Sequence, residues 1–418
     1  MRVNRPESDI DPILTQAADR FGTPAYVYST DLIDARITAL ERSLGRWFKL
    51  SYAMKCNPNP ELLSWLHKRI PCIDVSSGGE LMLALGAGWR ADQASFTGPA
   101  KREVELRHAI EAGLGELVVE SLREARLANR IAGESGKIQN VVIRIAPDRV
   151  PKGFGDQMAG RPSPFGIDIE EAPAALTEIA ALPHLRIAGL HIYSGTQCLK
   201  PAALVENWGI FISIFRELCE HHDLHPDRLI FGAGLGIPYH PGDQALDLDE
   251  IAEAIAPELD ALRSDPRFSD TDLVLELGRY LVGPAGYFVT RVTSIKESRG
   301  TRIAICDGGM NGHLAASGNF GMVLRRNYVI HRVGGGAGEE PIDITGPLCT
   351  SIDKLGAKVA LPRIEEGDLI AIHASGAYGP TSSPVNFISH PAPREIIAQG
   401  GQLTDATRIE SCGLRDPS

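Results

Sequence analysis

The chain has 418 residues, enough for two domains that each bury a core, and its 43 % apolar and 23 % charged content is that of an ordinary globular protein. No apolar run approaches the roughly 20 residues that span a bilayer, and the N-terminus lacks the basic-then-apolar pattern of a secretory signal, so a cytoplasmic protein without a membrane role is expected. A formal net charge of −11, with no run of Lys or Arg against it, speaks against nucleic acid as a partner.

Residues 1–31, with the β-like AYVYS at 25–29, read as an N-terminal segment that joins a second, β-rich domain. From Trp47 onward, short β-rich runs alternate with longer helical patterns. The runs are 47–55, 72–77, 94–98, 116–121, 140–146, 187–194, 228–234 and 272–278. Between the third and fourth, Lys101–Ala112 places Val104, Leu106, Ala109 and Ile110 as apolar positions, with Gly113 as the stop. Eight strands separated by helices predict a (β/α)8 barrel over 32–278, with an open doubly wound sheet as the alternative. The connection 147–168 is long and rich in Gly and Pro, as a functional lid or a disordered excursion would be. After Gly278 the pattern changes to strands at 287–298, 301–306 and 368–374 with no long helix, which predicts an all-β domain over 279–418. The seven cysteines have no zinc-like spacing, so no metal site is expected.

Barrel enzymes carry their chemistry at the C-terminal ends of the strands and often hold phosphate after strands seven and eight. Strand one ends on Lys55, a costly residue at the end of a buried strand unless it is paired or used covalently. Desolvation is expected to depress its pKa and leave an amine able to form a Schiff base. Strand seven runs into FGAGLG, with Gly232, Gly234 and Gly236 leaving room for a phosphate at the backbone. Strand six carries His191 and Ser194, and strand eight carries Glu276 and Arg279. A carboxylate deep in the barrel needs a cationic partner, and a protonated pyridine nitrogen would supply one.

The motifs YAMKCN, DVSSGGEL, FTGPAK, HIYSGTQ, GAGLG, ELGRY, GPLCTSID and SGAY follow one another in this order between about Thr23 and Ile397. In these the chain resembles the fold-type III decarboxylases, the family of ornithine and diaminopimelate decarboxylases, which depend on pyridoxal 5′-phosphate. MAGRP (158–162), ASGNF (316–320) and SHPAP (389–393) resemble a subgroup acting on conjugated or carrier-linked amino acids. That subgroup includes citryl-diaminopropionate decarboxylases of siderophore pathways, the butirosin glutamyl-carrier decarboxylase and exosortase-associated homologues.

The resemblance implies that Lys55 carries the cofactor, His191 stacks on its ring and Glu276 binds the ring nitrogen. It places Ser194, Gly232, Ala233, Gly234, Arg279 and Tyr378 around the phosphate, with Asp74, Glu80 and Arg144 in support. It makes Cys349 the proton donor, contributed by the neighbouring subunit of a homodimer with shared active sites, with Asp353 reaching into the same cleft. Diamine-specific members have an acidic residue directly after that cysteine; here the position is Thr350. Without that carboxylate a cationic substrate tail would lose roughly 1.5–3 kcal/mol, so a carboxylate-bearing or amide-linked tail is expected. Arg161, Arg325 and Arg326 are candidate ligands for it, and a carrier protein is a possible partner. An amino-acid racemase and a non-catalytic regulatory homologue are the rival readings; Glu276, Cys349 and the retained Lys55 speak for the decarboxylase.

Overall fold

The computed structural model describes residues 7–319 and 326–408. The chain divides into two compact units, one of residues 37–237 and 245–278, the other of the described parts of 1–36, 238–244 and 279–418. Among the described residues no helix is long and apolar enough to cross a membrane.

The first unit is a closed parallel barrel. Its strands, one to eight, are Phe48–Ala53, Cys72–Val75, Ala94–Phe96, Glu116–Val119, Gln139–Ala146, Leu185–Ile192, Arg228–Gly232 and Asp272–Leu277. Each pairs in parallel with the next, and strand eight pairs with strand one, Glu276 opposite Ser51, which closes the ring. Closure leaves no exposed sheet edge, and strands covered on both faces become continuously apolar, as in the buried run Leu117, Val118 and Val119. Val118, Val142, Ile230 and Val274, from strands four, five, seven and eight, form one buried cluster. Burying a side chain of this size is worth about 1.5–3 kcal/mol.

The helices start where the sequence supplies a cap. Ser77 accepts from the Glu80 N–H and Ser121 from the Glu124 N–H. Each glutamate reaches back in turn, Glu80 to the N–H of Ser76 and Glu124 to that of Glu120. The helix foreseen before Gly113 runs Glu103–Ala112 and ends with Gly113 at φ +82, the left-handed turn that glycine makes without strain. It buries Leu106, Ala109 and Ile110, but Val104 is 64 % exposed. Val104 lies two residues from Leu106, about 200° around the helix, so it cannot share the buried face.

The 147–168 connection is tied down rather than loose. Asp156–Gln157 pairs with Gly195–Thr196 just beyond strand six, and Ile167–Asp168 lies along the end of strand five. The Gly166 N–H donates to Glu120 at 3.0 Å.

The second unit is built on a nine-stranded sheet. Ala25–Ser29 sits between Gly286–Ser298 (antiparallel) and Arg394–Gln399 (parallel), and all five of its residues are buried. The long strand Gly286–Ser298 also pairs with Leu369–Ile372 and Thr301–Cys306, the latter leading to Glu340–Thr345 and Lys354–Leu361.

His313 is buried in this unit, with Nδ1 accepting from the Ala316 N–H at 3.3 Å and Nε2 lying 2.9 Å from Ser375 Oγ. Protonating Nδ1 would break the first bond, and burial lowers the imidazole pKa to about 3. The unfolded imidazole takes up its proton near pH 6.5 and the folded one does not, so stability is full above that pH and falls as pH drops toward 3. His313 alone should therefore cost about 2 kcal/mol between pH 7 and pH 5. Thermal unfolding of His313→Gln should show a correspondingly shallower loss over that interval; an unchanged slope would refute the assignment.

Candidate active site

The polar residues of the barrel unit gather at the C-terminal ends of its strands. Lys55 lies on a short 3-10 turn, Met54–Cys56, directly after strand one, and is half-buried. Around its amine stand Glu276, Tyr193, Asp74 and Cys56. Burial by itself would lower the lysine pKa, but the two carboxylates and their neighbours outweigh it, so the amine is held above its ordinary value. This reverses the expected depression: counting desolvation alone left out the anions supplied by strands two and eight.

Asp74, buried in strand two, accepts from Ser95 Oγ at 2.8 Å and Thr97 Oγ1 at 2.5 Å. Burial, then the nearby Glu276 charge, push its carboxyl well above the usual range, while Lys55 pulls it back. Glu276 goes the other way. Burial would raise it, but His191, Lys55 and Arg144 together hold it ionised, below its ordinary value. Two buried carboxylates facing one cation divide in this manner, because both cannot ionise at little cost.

The His191 Nε2 is 3.3 Å from Glu276 Oε2, within ion-pair reach, though the geometry is not that of a hydrogen bond. Burial lowers the His191 pKa, against the opposing pull of the Glu276 carboxylate. Arg144 pairs with Glu120 at 3.0 Å, both buried. Glu120 also accepts the N–H of Gly98 and of Gly166, so it fastens two loops to this cation. Beneath them Lys101, of FTGPAK, pairs with buried Glu124 at 2.6 Å and donates to the carbonyls of Gly98 and Val118. Removing one partner of such a buried pair costs about 3–5 kcal/mol.

Among the described residues, four buried polar atoms here have no hydrogen-bond partner: Asp74 Oδ2, both ring nitrogens of His191 and Ser194 Oγ. Each such atom costs about 1–3 kcal/mol, a cost that a polar ligand would relieve. Next to them strand seven ends in Gly232, and Gly234 follows at φ +69, where a side chain would be strained and would strike Phe154. A glycine turn beside unpartnered donors and an amine fits an aldehyde- and phosphate-bearing cofactor. Ala233 fits less well than expected, since its N–H already donates to the Glu276 carbonyl at 3.0 Å and continues the ladder between strands seven and eight.

The second unit contains the other expected residues. Arg279 Nη1 donates to the Tyr239 hydroxyl at 2.6 Å, and its guanidinium lies 4.8 Å from the Tyr378 ring centroid. Tyr378 has φ +55, a conformation that non-glycine residues seldom adopt and that often marks a functional position. Cys349 is exposed and Thr350 is half-buried. Asp353 is buried, and its two oxygens accept the N–H groups of Met310 and Leu348. A side chain at Gly309 or Gly346 would collide with that carboxylate, so Asp353 anchors the loop carrying Cys349. Among the arginines, Arg161 is exposed and donates to the Gln157 carbonyl at 2.8 Å. Arg326 is paired with Asp243 at 2.7 Å, and Arg325 lies outside the described residues.

Residues 30–283 match the family described as pyridoxal-dependent decarboxylase, pyridoxal binding domain. The chain belongs to the pyridoxal-dependent decarboxylases. It is similar to an L-glutamyl-(BtrI acyl-carrier protein) decarboxylase of Niallia circulans, 35 % identical over 93 % of this chain and 91 % of the relative. It is also similar to a diaminopimelate decarboxylase of Aquifex aeolicus, 30 % identical over 93 % of this chain and 90 % of that one. Among solved structures, diaminopimelate decarboxylase from Helicobacter pylori complexed with L-lysine superposes with a TM-score of 0.83 at 26 % identity, covering 95 % of this chain and 96 % of that one. In this decarboxylase, sequence reasoning had passed over Glu120, Ser95, Thr97 and Tyr193. Glu120 carried a readable signal, a carboxylate at the end of strand four, the same placement that singled out Glu276 on strand eight.

Proposed function

We propose that this enzyme removes the α-carboxylate from an amino acid whose distal end is not a free ammonium. The substrate is an amino-acid conjugate of the citryl-diaminopropionate kind, as in siderophore assembly, or a glutamyl group presented by a carrier protein. Thr350 carries the reading: it follows Cys349 where the family's diamine-specific members have the carboxylate that holds a distal amine. The similarity to an enzyme named for a carrier-linked glutamyl substrate supports it.

When bound, pyridoxal phosphate supplies an electron sink for the pair left on the α-carbon as CO2 departs. In this reading Lys55 anchors the cofactor and later recaptures it as product leaves. His191 packs on the ring, and the ionised Glu276 keeps a proton on the ring nitrogen. Ser194, Gly232 and Gly234 take the phosphate, a role the reading also gives to Arg279 and Tyr378. Asp74 and Arg144 set the charge around Lys55 and Glu276. Cys349, from the partner subunit of a homodimer, gives its proton to the α-carbon, while Thr350 and Arg161 meet the distal end of the substrate.

A second reading, diaminopimelate decarboxylase, is favoured by the likeness to the lysine-bound structure. CO2 release decides between them, measured over ornithine, lysine, arginine, meso-diaminopimelate, citryl-diaminopropionate and carrier-bound glutamate. Turnover of a conjugated substrate alone is the expected result. Turnover of diaminopimelate or a free diamino acid would overturn the substrate assignment and leave the chemistry intact.

A further inference from the structure

Tyr193 follows strand six directly and has no part in the roles assigned above. Its ring lies against the backbone of Gly232, so closely that a Cβ there would fall 2.2 Å from the ring. The ring is flanked by two cations. Lys55 Nζ is 5.6 Å from its centroid, and the Arg144 guanidinium is 5.9 Å away. Three residues on, Thr196 is paired through its backbone with Asp156 of the 147–168 connection. The ring is thus held against the glycine turn. A ring so fixed offers its electron-rich face at a set position, and a cation within about 6 Å is attracted to it, more strongly where water is excluded.

We propose that Tyr193 is a positioning residue that holds the free ammonium of Lys55 beside the reacting centre, before the cofactor is attached and again whenever substrate has displaced the lysine. The inference rests on Lys55 being the anchor. Glu276 on strand eight and Asp74 on strand two favour the charged amine, as do Cys56 on its own turn and Tyr193, while His191 and Arg144 act on it through Glu276. The carboxylates decide that the amine is charged; the ring adds a short-range contact that fixes where it rests.

Attachment requires the ammonium to give one proton to solvent. The nitrogen lone pair then adds to the aldehyde carbon of the cofactor, and the aldehyde oxygen leaves as water with the two remaining N–H protons. No oxidation or reduction is involved. Because the ring stabilises the ammonium, weakening that contact lowers the lysine pKa and moves attachment to lower pH, by about half a unit for a contact of this length.

The test follows attachment of added pyridoxal phosphate to the cofactor-free full chain across pH, by absorbance at about 420 nm and by the borohydride-fixed adduct. Tyr193→Phe and trifluorophenylalanine at the same position share a shape and differ in the charge of the ring face. The Phe protein should keep the wild-type midpoint, and the trifluoro protein should fall about half a unit below it. Tyr193→Leu should fall as far or further; if it fails to fold, the fluorinated pair still decides. Equal midpoints for the Phe and trifluoro proteins, with the adduct abolished by Lys55→Ala, would overturn the role of Tyr193 and leave the anchor in place. An adduct that survives Lys55→Ala would overturn both.

Discussion

Lys55→Ala protein is expected to lose covalent attachment of the cofactor and to fall by at least about 10⁴-fold in turnover. The loss follows from position: Glu276, Asp74, Tyr193 and Cys56 all face this amine. Lys101, also buried, is spent on Glu124 and two backbone carbonyls and cannot substitute. The variant also probes the proposed sharing of sites between two subunits. Mixed in equal amounts with Cys349→Ala, random exchange makes half the dimers mixed, each with one intact site, so activity should return to about a quarter of wild type. Recovery near zero from exchanged subunits would place Cys349 and Lys55 of one subunit in the same site.

Glu276→Gln should reduce kcat by roughly 10²–10³-fold while cofactor is retained, the usual cost of losing one well-placed electrostatic contact. In the proposed reading the Glu276 charge keeps a proton on the ring nitrogen, and Gln cannot carry it, so the electron sink is weakened. The same change acts on Lys55. The Glu276 charge raises that amine, so without it the lysine pKa should fall by about 1–3 units and attachment should proceed at lower pH. An acid-side shift together with a kcat loss is the expected pair of results. Loss of kcat with an unmoved attachment profile would mean that Asp74 alone sets the charge of Lys55.

The buried Asp74 and Glu276 account for both results, and only one of their two effects was open to anticipation. A carboxylate at the end of a barrel strand could be recognised as a counter-charge for a cation. That the pair splits, with Asp74 raised by burial and the Glu276 charge and Glu276 lowered, depends on His191 lying by Glu276, while the bonds from Ser95 and Thr97 only partly offset the rise at Asp74. Those neighbours come from other strands, and spacing along one strand does not encode them.

Local chemistry decided much of this protein. The eight barrel strands, the Glu103–Ala112 helix with its Gly113 stop and the strands after Gly278 could all be read from periodicity and turn residues, since each depends on nearest neighbours along the chain. The rim residues Lys55, His191 and Glu276 could be read as well, because parallel closure brings the ends of all eight strands to one side. Tertiary structure alone decided which polar groups remain available. It sealed the Ala233 N–H into the strand ladder, turned Asp353 inward to hold its own loop and paired Arg326 with Asp243. It also set the Tyr193 ring between two cations and tied the 147–168 connection to strand six by backbone pairing. The physical reason is common to all of these: whether a polar group is spent or free depends on partners tens to hundreds of residues away, and packing, not local propensity, brings those partners within hydrogen-bond range.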